Sequence, residues 1–479
     1  MALSVGEAER YARLTTCLVG WNSMRCVGAV IILLMAACTT QPGAVTTDTP
    51  APNSVATGYP PAPDVPSGPL DPRVLDELGG LLVGVVAGNH ESEALDEVVA
   101  SKDPRVAWLL ADMMRFVQAG EMAAELKSAF ARLTGVRLDS KDHPPFVDAM
   151  NHLFAWVLPA FPEYDRLKAD LYTTVEPGWQ PFFEHNVSID WRYVTWGGVL
   201  IDDRAFGATA PCLEGCIPAL DDPPTTDAED GSWYPDGSVV FGIVLNGEAI
   251  ALPQNQMEVH EMVNLELGGR RLGVPYCTLC GSAQAYLTDS VPEGFAPAVL
   301  RTSGLLSRSS KMMYDLLTQS VFDTFTGEAR SGPLGEAEVT LEQVTVVASS
   351  WGDWKTAHPE TRIVAQDGGL GRSYPDDPLL GRDDDGPIFP VGPVDPRLPV
   401  QEPVVGVIVP DGTPIAFPVA EERRALQAGE EVVVEGVAAM LDGSGIRVVG
   451  ADGELPAHQA YWFAWSQFHP TTVVWTPLG

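Results

Sequence analysis

The chain has 479 residues, of which 45% are hydrophobic and 19% are charged. This composition is typical of a globular protein with roughly two to four domains. The 64 acidic residues outnumber the 29 basic residues and give a net charge of −35. Such an acidic surface repels nucleic-acid phosphates, so we expect no nucleic-acid partner. Beyond the N-terminal region no apolar run reaches the length of a membrane-spanning helix, which excludes a polytopic membrane protein.

Residues 1–37 have the features of a secretory signal region. Met24 and Arg25 precede an apolar stretch at residues 27–35, and small residues then lead to Cys38. The pattern resembles a bacterial lipoprotein signal, in which the cysteine is lipid-modified and becomes the first residue of the mature chain. We therefore expect translation to start at Met24 and a lipid on Cys38 to hold the protein at the extracytoplasmic face of the cell membrane.

Residues 38–70 are predicted to form a tether. Nine prolines lie between residues 41 and 72, mixed with threonine, alanine, serine and glycine. Chains of this composition stay extended and solvated. The tether would therefore hold a folded body away from the membrane.

Residues 71–185 are predicted to form an all-helical domain. Asp71-Pro72 and Asp103-Pro104 each combine a capping residue with a first-turn proline, which is a typical helix start. Apolar residues recur at helical spacing at 75–85, 106–114, 122–133, 144–157 and 164–171. We expect this domain to support the protein or to contact an envelope protein partner.

Residues 205–475 are predicted to form a larger, mainly-β domain. Alternating runs at 239–245 and 404–409 are followed by Asn-Gly and Asp-Gly dipeptides, which are turn signals between strands. Helices are predicted in this region only at 420–428 and 456–467, and the second carries aromatic side chains expected in the core. The predicted fold class is therefore α+β.

Several motifs of the β region together resemble one bacterial family. They are His260-Glu261-Met262-Val263-Asn264, Val274-Pro275-Tyr276-Cys277-Thr278-Leu279-Cys280-Gly281-Ser282, Ser303-Gly304-Leu305-Leu306, Met313-Tyr314-Asp315, Phe325-Thr326-Gly327-Glu328-Ala329, Trp351-Gly352-Asp353-Trp354-Lys355, Asp395-Pro396-Arg397-Leu398-Pro399 and Trp462-Phe463-Ala464-Trp465. In this order they are similar to the family called domain of unknown function 3179, over about residues 205–475. The family has no established activity. The chain departs from it at Thr278, Leu316 and Phe322, where proline, arginine and tryptophan are usual.

Four cysteines follow Cys38, in the arrangements Cys212-x3-Cys216 and Cys277-x2-Cys280. The Cys-x-x-Cys-Gly segment lies between two predicted strands and resembles the metal-holding knuckle of zinc ribbons, in which glycine supplies a positive φ. A redox dithiol would normally start a helix, and no helix pattern follows.

A metal at Cys277 and Cys280 would require further ligands. His260 is the first candidate, because it belongs to the same family motifs, and the next candidates are Cys212, Cys216, Met312 and Met313. Thiolate, imidazole and thioether ligands at an oxidising cell surface would suit Zn or Cu.

Two alternatives to a metal site remain open. The cysteines could form structural disulfides in an envelope binding or scaffold protein, or they could be the reactive pair of a thiol-disulfide oxidoreductase. Family members usually lack cysteines at the positions of Cys212 and Cys216, so we expect a local disulfide there.

Other candidate residues carry weaker signals. Glu261 and Asn264, which follow His260, could form an acid and base pair with an orienting amide. A Ser/Lys nucleophile is conceivable at 307–311, but we interpret this segment as a solvated turn. The sequence therefore predicts a lipid-anchored extracytoplasmic protein whose working site surrounds Cys277, Cys280 and His260.

Overall fold

Helices form the N-terminal part of the chain in the computed structural model, which describes residues 58–87, 92–212, 215–382 and 386–477. The helices are α1 (Pro72–Ala87), α2 (Ser92–Ala100), α3 (Ala107–Phe116), α4 (Gly120–Thr134), α5 (Pro145–Trp156), α6 (Tyr164–Val175) and α7 (Gln180–Glu184). Each of the five predicted helical segments is confirmed. The short helices α2 and α7 were not predicted, because they hold too few residues for a clear apolar period.

The first turn of the second predicted helix shows how local chemistry sets a helix start. The Asp103 carboxylate accepts a hydrogen bond from the backbone amide of Arg105 at 3.0 Å, and Pro104 opens a short 3-10 turn that leads into α3. Proline fits this position because the missing amide hydrogen would have no partner there. None of the helices in the described part of the chain is long and apolar enough to cross a membrane.

Small sheets and short helices form the rest of the chain. The strands are β1 (Val194–Trp196), β2 (Leu220–Asp221), β3 (Thr225–Asp227), β4 (Val239–Leu245), β5 (Glu248–Pro253), β6 (Met262–Leu267), β7 (Arg270–Cys277), β8 (Ser282–Ala283), β9 (Ala285–Leu287), β10 (Leu300–Ser307), β11 (Ser310–Asp315), β12 (Val321–Asp323), β13 (Glu342–Val344), β14 (Val347–Ser350), β15 (Arg362–Val364), β16 (Pro403–Ile408), β17 (Pro414–Pro418), β18 (Val433–Val434), β19 (Val437–Asp442), β20 (Gly445–Gly450), β21 (Gly453–Leu455), β22 (Ala457–Tyr461) and β23 (Val473–Val474). The helices of this part are α8 (Gln254–His260), α9 (Gly332–Glu336), α10 (Trp351–Ala357), α11 (Val419–Gln427) and α12 (Trp462–Phe468).

The strands of the described residues pair into five small sheets, a construction like that of β-propeller blades. Their strand orders are β1-β10-β11-β12, β13-β9-β7-β6-β2 with β8 beside β7, β14-β4-β5-β15-β3, β22-β16-β17-β23, and β18-β19-β20-β21. Most neighbouring strands are antiparallel, and the predicted turns at 246–247 and 411–412 connect hairpins. The α+β class is confirmed, with helices first and a larger β part after them.

Of the two helices predicted in the β part, the one at 456–467 was wrong over its first half. Residues 457–461 form strand β22 along β16, with Pro403 opposite Tyr461, and the helix begins only at Trp462. Pairing with β16 satisfies the backbone of this segment, so a tertiary contact overrides its local preference. Helices α8, α9 and α10 are additional, and each spans seven residues or fewer. The helix predicted at 420–428 is confirmed as α11.

The helices and the first sheet share one apolar core. Leu305 of β10 and Met312 and Tyr314 of β11 are buried in the same cluster as residues of α1 to α6. The indole of Trp179 also donates to the carbonyl oxygen of Ser303 at 2.7 Å. Strands β10 and β11 therefore contact the helices on one side while they carry residues of the candidate site.

A buried ion pair joins the helices to the entry of the first sheet. Lys168 of α6 lies 2.8 Å from the Asp112 carboxylate of α3, and both side chains are fully buried. The Lys168 ammonium also donates to the carbonyl oxygens of Trp191 and Val194, at 2.8 and 2.6 Å. Tyr164 donates to the same carboxylate at 2.7 Å. Each buried charge is therefore paired, as burial in a low-dielectric interior requires.

We predict that Lys168→Met lowers the free energy of unfolding by about 3–5 kcal/mol, because it leaves the Asp112 carboxylate buried without its cation. Urea denaturation followed by circular dichroism measures this loss. Arg166→Met on the same helix is the control, since its 2.9 Å pair with Asp170 is exposed and should contribute less than about 0.5 kcal/mol. Equal losses in the two variants would contradict the prediction.

A second buried acid, Glu422 of α11, has no such partner. Both of its carboxylate oxygens lack a hydrogen-bond partner within the described part of the chain. Burial raises the pKa of Glu422 to about 8, although the Arg423 cation opposes this shift. The folded protein therefore keeps this carboxyl protonated at neutral pH.

We predict that Glu422 makes the protein less stable as pH rises from about 4.5 to 8. The unfolded chain releases this proton near the lower pH, whereas the folded chain holds it until the higher one, so folding becomes less favourable across that window. Glu422→Gln should remove a loss on the order of 4 kcal/mol, measured as the difference between urea denaturation at pH 5 and pH 9. Glu421→Gln, at the exposed neighbouring position, should leave the parent's pH dependence unchanged.

Candidate functional site

The Cys-x-x-Cys segment forms a tight turn at the end of strand β7. Cys277 is the last residue of the strand and the N-cap of a single 3-10 turn, Thr278–Cys280. Gly281 follows with φ +56, and a Cβ atom at this glycine would lie 2.9 Å from the ring of Tyr461. Glycine is therefore required twice, for the left-handed backbone and for the contact with the ring. The predicted strand-turn-strand arrangement is confirmed.

The turn brings the two thiols into direct contact. The sulfur atoms of Cys277 and Cys280 lie 2.8 Å apart, and both cysteines are free and buried. The carbonyl oxygen of Ser309 lies 3.5 Å from the Cys280 sulfur and 3.8 Å from the Cys277 sulfur. A covalent disulfide would measure about 2.05 Å, so a small movement converts this contact into a bond.

The two thiols differ in acidity. Burial acts to raise the pKa of Cys277, but hydrogen bonds from the Cys280 thiol and from the backbone amide of Lys311 outweigh it and lower this pKa. For Cys280, burial and its hydrogen bond to Cys277 both raise the pKa well above the ordinary value. Cys277 is therefore the sulfur that ionises first, because the Cys280 thiol and the Lys311 amide both donate to a thiolate there.

Of the two cysteines, Cys277 lines a cavity of about 220 Å³. The apolar part of the wall includes Leu305, Leu306 and Phe389. The polar and charged residues on the wall are Glu261, Thr278, Thr302, Lys311 and Arg382. Cys277 is only 1% exposed, so a reagent must enter this cavity to reach it.

Glu261 and Lys311 form a buried pair beside Cys277. The Lys311 ammonium donates to the backbone carbonyl of Glu261 and lies 3.5 Å from the Glu261 carboxylate. The other carboxylate oxygen accepts a hydrogen bond from the Thr278 hydroxyl at 3.2 Å. Burial raises the pKa of Glu261 and lowers that of Lys311, and the attraction between the two groups opposes both shifts. Burial therefore disfavours the charged form of each group, and their mutual attraction favours it.

The sequence analysis assigned Lys311 to the wrong environment. Segment 307–311 was interpreted as a solvated turn, but Ser309, Ser310 and Lys311 are all buried. Strand β11 is buried along its whole length, between the helices and the sheet that carries Cys277. The signal was present in the sequence, because a lysine directly before the apolar Met312-Met313-Tyr314 run is unusual in an exposed turn.

His260 does not offer a free nitrogen to a metal at the cysteines. Its Nδ1 donates to the carbonyl oxygen of Pro218, and its Nε2 accepts from the Tyr374 hydroxyl, both at 2.7 Å. Since a carbonyl only accepts, Nδ1 must carry the proton. Burial lowers the pKa of His260 to about 4, so the ring stays neutral.

The donor set at the cysteines does not fit a tetrahedral metal. Within residues 58–87, 92–212, 215–382 and 386–477, no group of three or more histidine, cysteine, aspartate or glutamate side chains could hold a metal ion. Two sulfurs 2.8 Å apart would subtend an angle of about 75° at a zinc ion 2.3 Å from each, against about 109° in a tetrahedron. The metal hypothesis stays a prediction, and the arrangement favours the dithiol chemistry.

The remaining candidates lie elsewhere or have structural partners. Asn264 donates to Asp221 at 2.9 Å and exchanges hydrogen bonds with the backbone of Leu300, so it joins strands. Met313 is buried in the core beside β12. Cys212 and Cys216 form a disulfide with each other, as expected. Cys38 lies outside the described residues.

Residues 214–452 match the model of a family described as protein of unknown function (DUF3179), which confirms the resemblance found in the sequence. Residues 214–452 are therefore similar to this family, and Cys277, Cys280, Glu261 and Lys311 all lie inside the matched segment. A search of curated proteins and a search of solved structures found no match. The chemistry of the site must therefore be argued from its own residues.

We predict that Gly281→Ala destabilises the protein more than Gly269→Ala. Both glycines have positive φ, but an added Cβ meets the Tyr461 ring at Gly281 and open space at Gly269. The difference in unfolding free energy should be about 1–3 kcal/mol, measured by urea denaturation. The Gly269 variant reports the cost of the backbone conformation alone, and equal costs would show that the ring contact is unimportant.

Proposed function

We propose that this chain is a lipid-anchored extracytoplasmic thiol-disulfide oxidoreductase whose reactive pair is Cys277 and Cys280. The observation that carries the proposal is the asymmetry of the pair. The sulfurs lie 2.8 Å apart, but it is Cys277 that has the lowered pKa and lines the cavity. Cys277 is therefore the attacking thiol, and Cys280 is the resolving thiol.

The reaction begins with attack by the Cys277 thiolate on one sulfur of a substrate disulfide. A bond forms between Cys277 and that sulfur, the substrate disulfide breaks, and the other half leaves as a thiolate that takes up a proton. Cys280 then loses its proton and attacks the Cys277 sulfur, which releases the second half as a thiol. Two electrons and two protons have passed to the substrate, and a second dithiol can reverse both steps.

Glu261 and Lys311 are suited to handle the protons of these steps. The raised pKa of Glu261 lets it hold a proton that the leaving thiolate can accept. The Lys311 backbone amide donates to the Cys277 sulfur, and the ammonium next to it favours negative charge in the cavity. Both residues therefore act on the reacting sulfur, the amide directly and the charges through space.

The proposed location rests on the sequence. The signal pattern ending at Cys38 and the proline-rich tether would place the folded body at the outer face of the membrane. Such a compartment is oxidising, which suits both the Cys212–Cys216 disulfide and a protein that exchanges disulfides. The helices of residues 71–185, which share a core with the first sheet, would support the β part and form the surface for an envelope partner.

The test is a redox titration of the full chain. The protein is equilibrated in glutathione buffers of defined ratio, quenched with acid and alkylated, and each cysteine is then followed by mass spectrometry. We predict that Cys277 and Cys280 interconvert reversibly between dithiol and disulfide. Cys280→Ser should trap glutathione on Cys277. Cys277→Ser should trap it on Cys280 at least about tenfold more slowly, because that thiol does not line the cavity and is weakly acidic.

A variant with Cys212→Ser and Cys216→Ser is the control and should behave like the parent at Cys277. Two outcomes would overturn the proposal. A Cys277–Cys280 disulfide that persists in fully reducing buffer under native conditions would indicate a structural role. Stoichiometric zinc or copper in protein purified under reducing, chelator-free conditions, lost in Cys277→Ser, would indicate the metal site instead.

A further inference from the structure

We infer that the substrate of the Cys277 site is a low-molecular-weight disulfide that carries a carboxylate. This inference rests on the proposed function and adds the chemical class of the substrate. It follows from the size of the cavity, from its charges and from the apolar surface between them.

The size of the cavity limits what can reach the sulfur. Its volume of about 220 Å³ lies below the roughly 300–1,000 Å³ of cavities that take drug-sized ligands. Attack on a disulfide requires both substrate sulfurs to lie in line with Cys277, so both must enter. Each sulfur of a cystine cross-link in a folded protein is attached to a peptide backbone, so two backbones would have to approach the cavity. A small disulfide has only a short chain on each sulfur.

The charges of the cavity favour an anion. Lys311 and Arg382 contribute two cations to the wall, and Glu261 is its one acidic residue among the described residues. The raised pKa of Glu261 further reduces the negative charge. In the whole chain, 64 acidic residues outnumber 29 basic ones. On the wall of this cavity the balance is reversed, with two basic residues and one acidic residue.

Arg382 is placed to meet an anionic group at the entrance. Arg382 is exposed, and its Nε donates a hydrogen bond to the carbonyl oxygen of Leu379 at 3.2 Å. Its positive charge acts to lower the pKa of Glu261, which lines the same cavity. Residues 383–385, which are aspartates, follow it in the sequence and lie outside the described residues. A substrate whose sulfur meets Cys277 would therefore direct its carboxylate toward Arg382.

The apolar wall between these ends suits a short hydrocarbon arm. Leu305, Leu306 and Phe389 line the cavity together with Cys277 and Arg382. Methylene groups of a small mercapto acid would bury apolar surface there at about 25 cal/mol per Å². The cavity thus offers Cys277 to a substrate sulfur, an apolar wall to a short hydrocarbon arm, and Arg382 to a carboxylate.

The experiment measures how fast Cys280→Ser protein forms a mixed disulfide at Cys277 with probes of different charge. The probes are 3,3′-dithiodipropionate, which is anionic, bis(2-hydroxyethyl) disulfide, which is neutral, cystamine, which is cationic, and disulfide-bonded ribonuclease. Intact mass reports the adduct, and each rate is divided by the rate of the same probe with an unstructured cysteine peptide. We expect the anionic probe to react at least about fivefold faster than the cationic probe and the ribonuclease disulfides to react slowest.

Arg382→Gln should reduce the preference for the anionic probe, and Arg382→Glu should reverse it. Arg362→Gln, at an exposed position on β15 away from the cavity, is the matched control and should change nothing. Exchange without a charge preference, or faster exchange with ribonuclease, would overturn this inference and leave the oxidoreductase proposal standing. No exchange with any probe would overturn the proposed function itself.

Discussion

The backbone carbonyl of Glu261 joins three elements at the centre of the β part. Glu261 ends helix α8 in a left-handed conformation, with φ 52°, which turns the chain into β6. Its carbonyl oxygen accepts the amide hydrogen of Tyr276 at 2.9 Å and a hydrogen of the Lys311 ammonium. Because Tyr276 precedes Cys277, this one oxygen fixes the distance between the reactive thiol and the buried cation. A non-glycine residue in this conformation is strained, and the surrounding contacts must hold it.

Burial gives this site its electrostatics, and the same physics acts at two other places in the chain. At Lys168 and Asp112 each charge has its complement, so the pair stabilises the junction between helices and sheet. At Glu422 no partner exists among the described residues, and the group stays protonated instead. Glu261 and Lys311 lie between these extremes, because the carboxylate is 3.5 Å from the ammonium. A pair at this separation is held less firmly in one protonation state, which suits proton transfer.

The sequence predicted the elements that depend on local chemistry. It predicted the helical turns that begin at Pro72 and Pro104, the hairpin turn after Leu245 and the glycine turn after Cys280. Each of them follows from residues that act within a few positions. What depends on tertiary contacts was missed. Residues 457–461 become a strand through pairing with β16, and Lys311 is buried because its face of β11 contacts Glu261 next to Cys277. His260 was a reasonable ligand from its neighbours in sequence, but its partners, Pro218 and Tyr374, are 42 and 114 residues away.

The two cysteine pairs of this chain separate a structural role from a chemical one. Cys212 and Cys216 are partly exposed, bonded to each other and absent from the cavity wall within the described residues. Cys277 and Cys280 are free and buried, and Glu261 and Lys311 lie beside them. Burying these two charges costs free energy that a structural disulfide would have no need to offset. Their position next to Cys277, which faces the cavity, is therefore better explained by thiolate chemistry than by a stabilising cross-link.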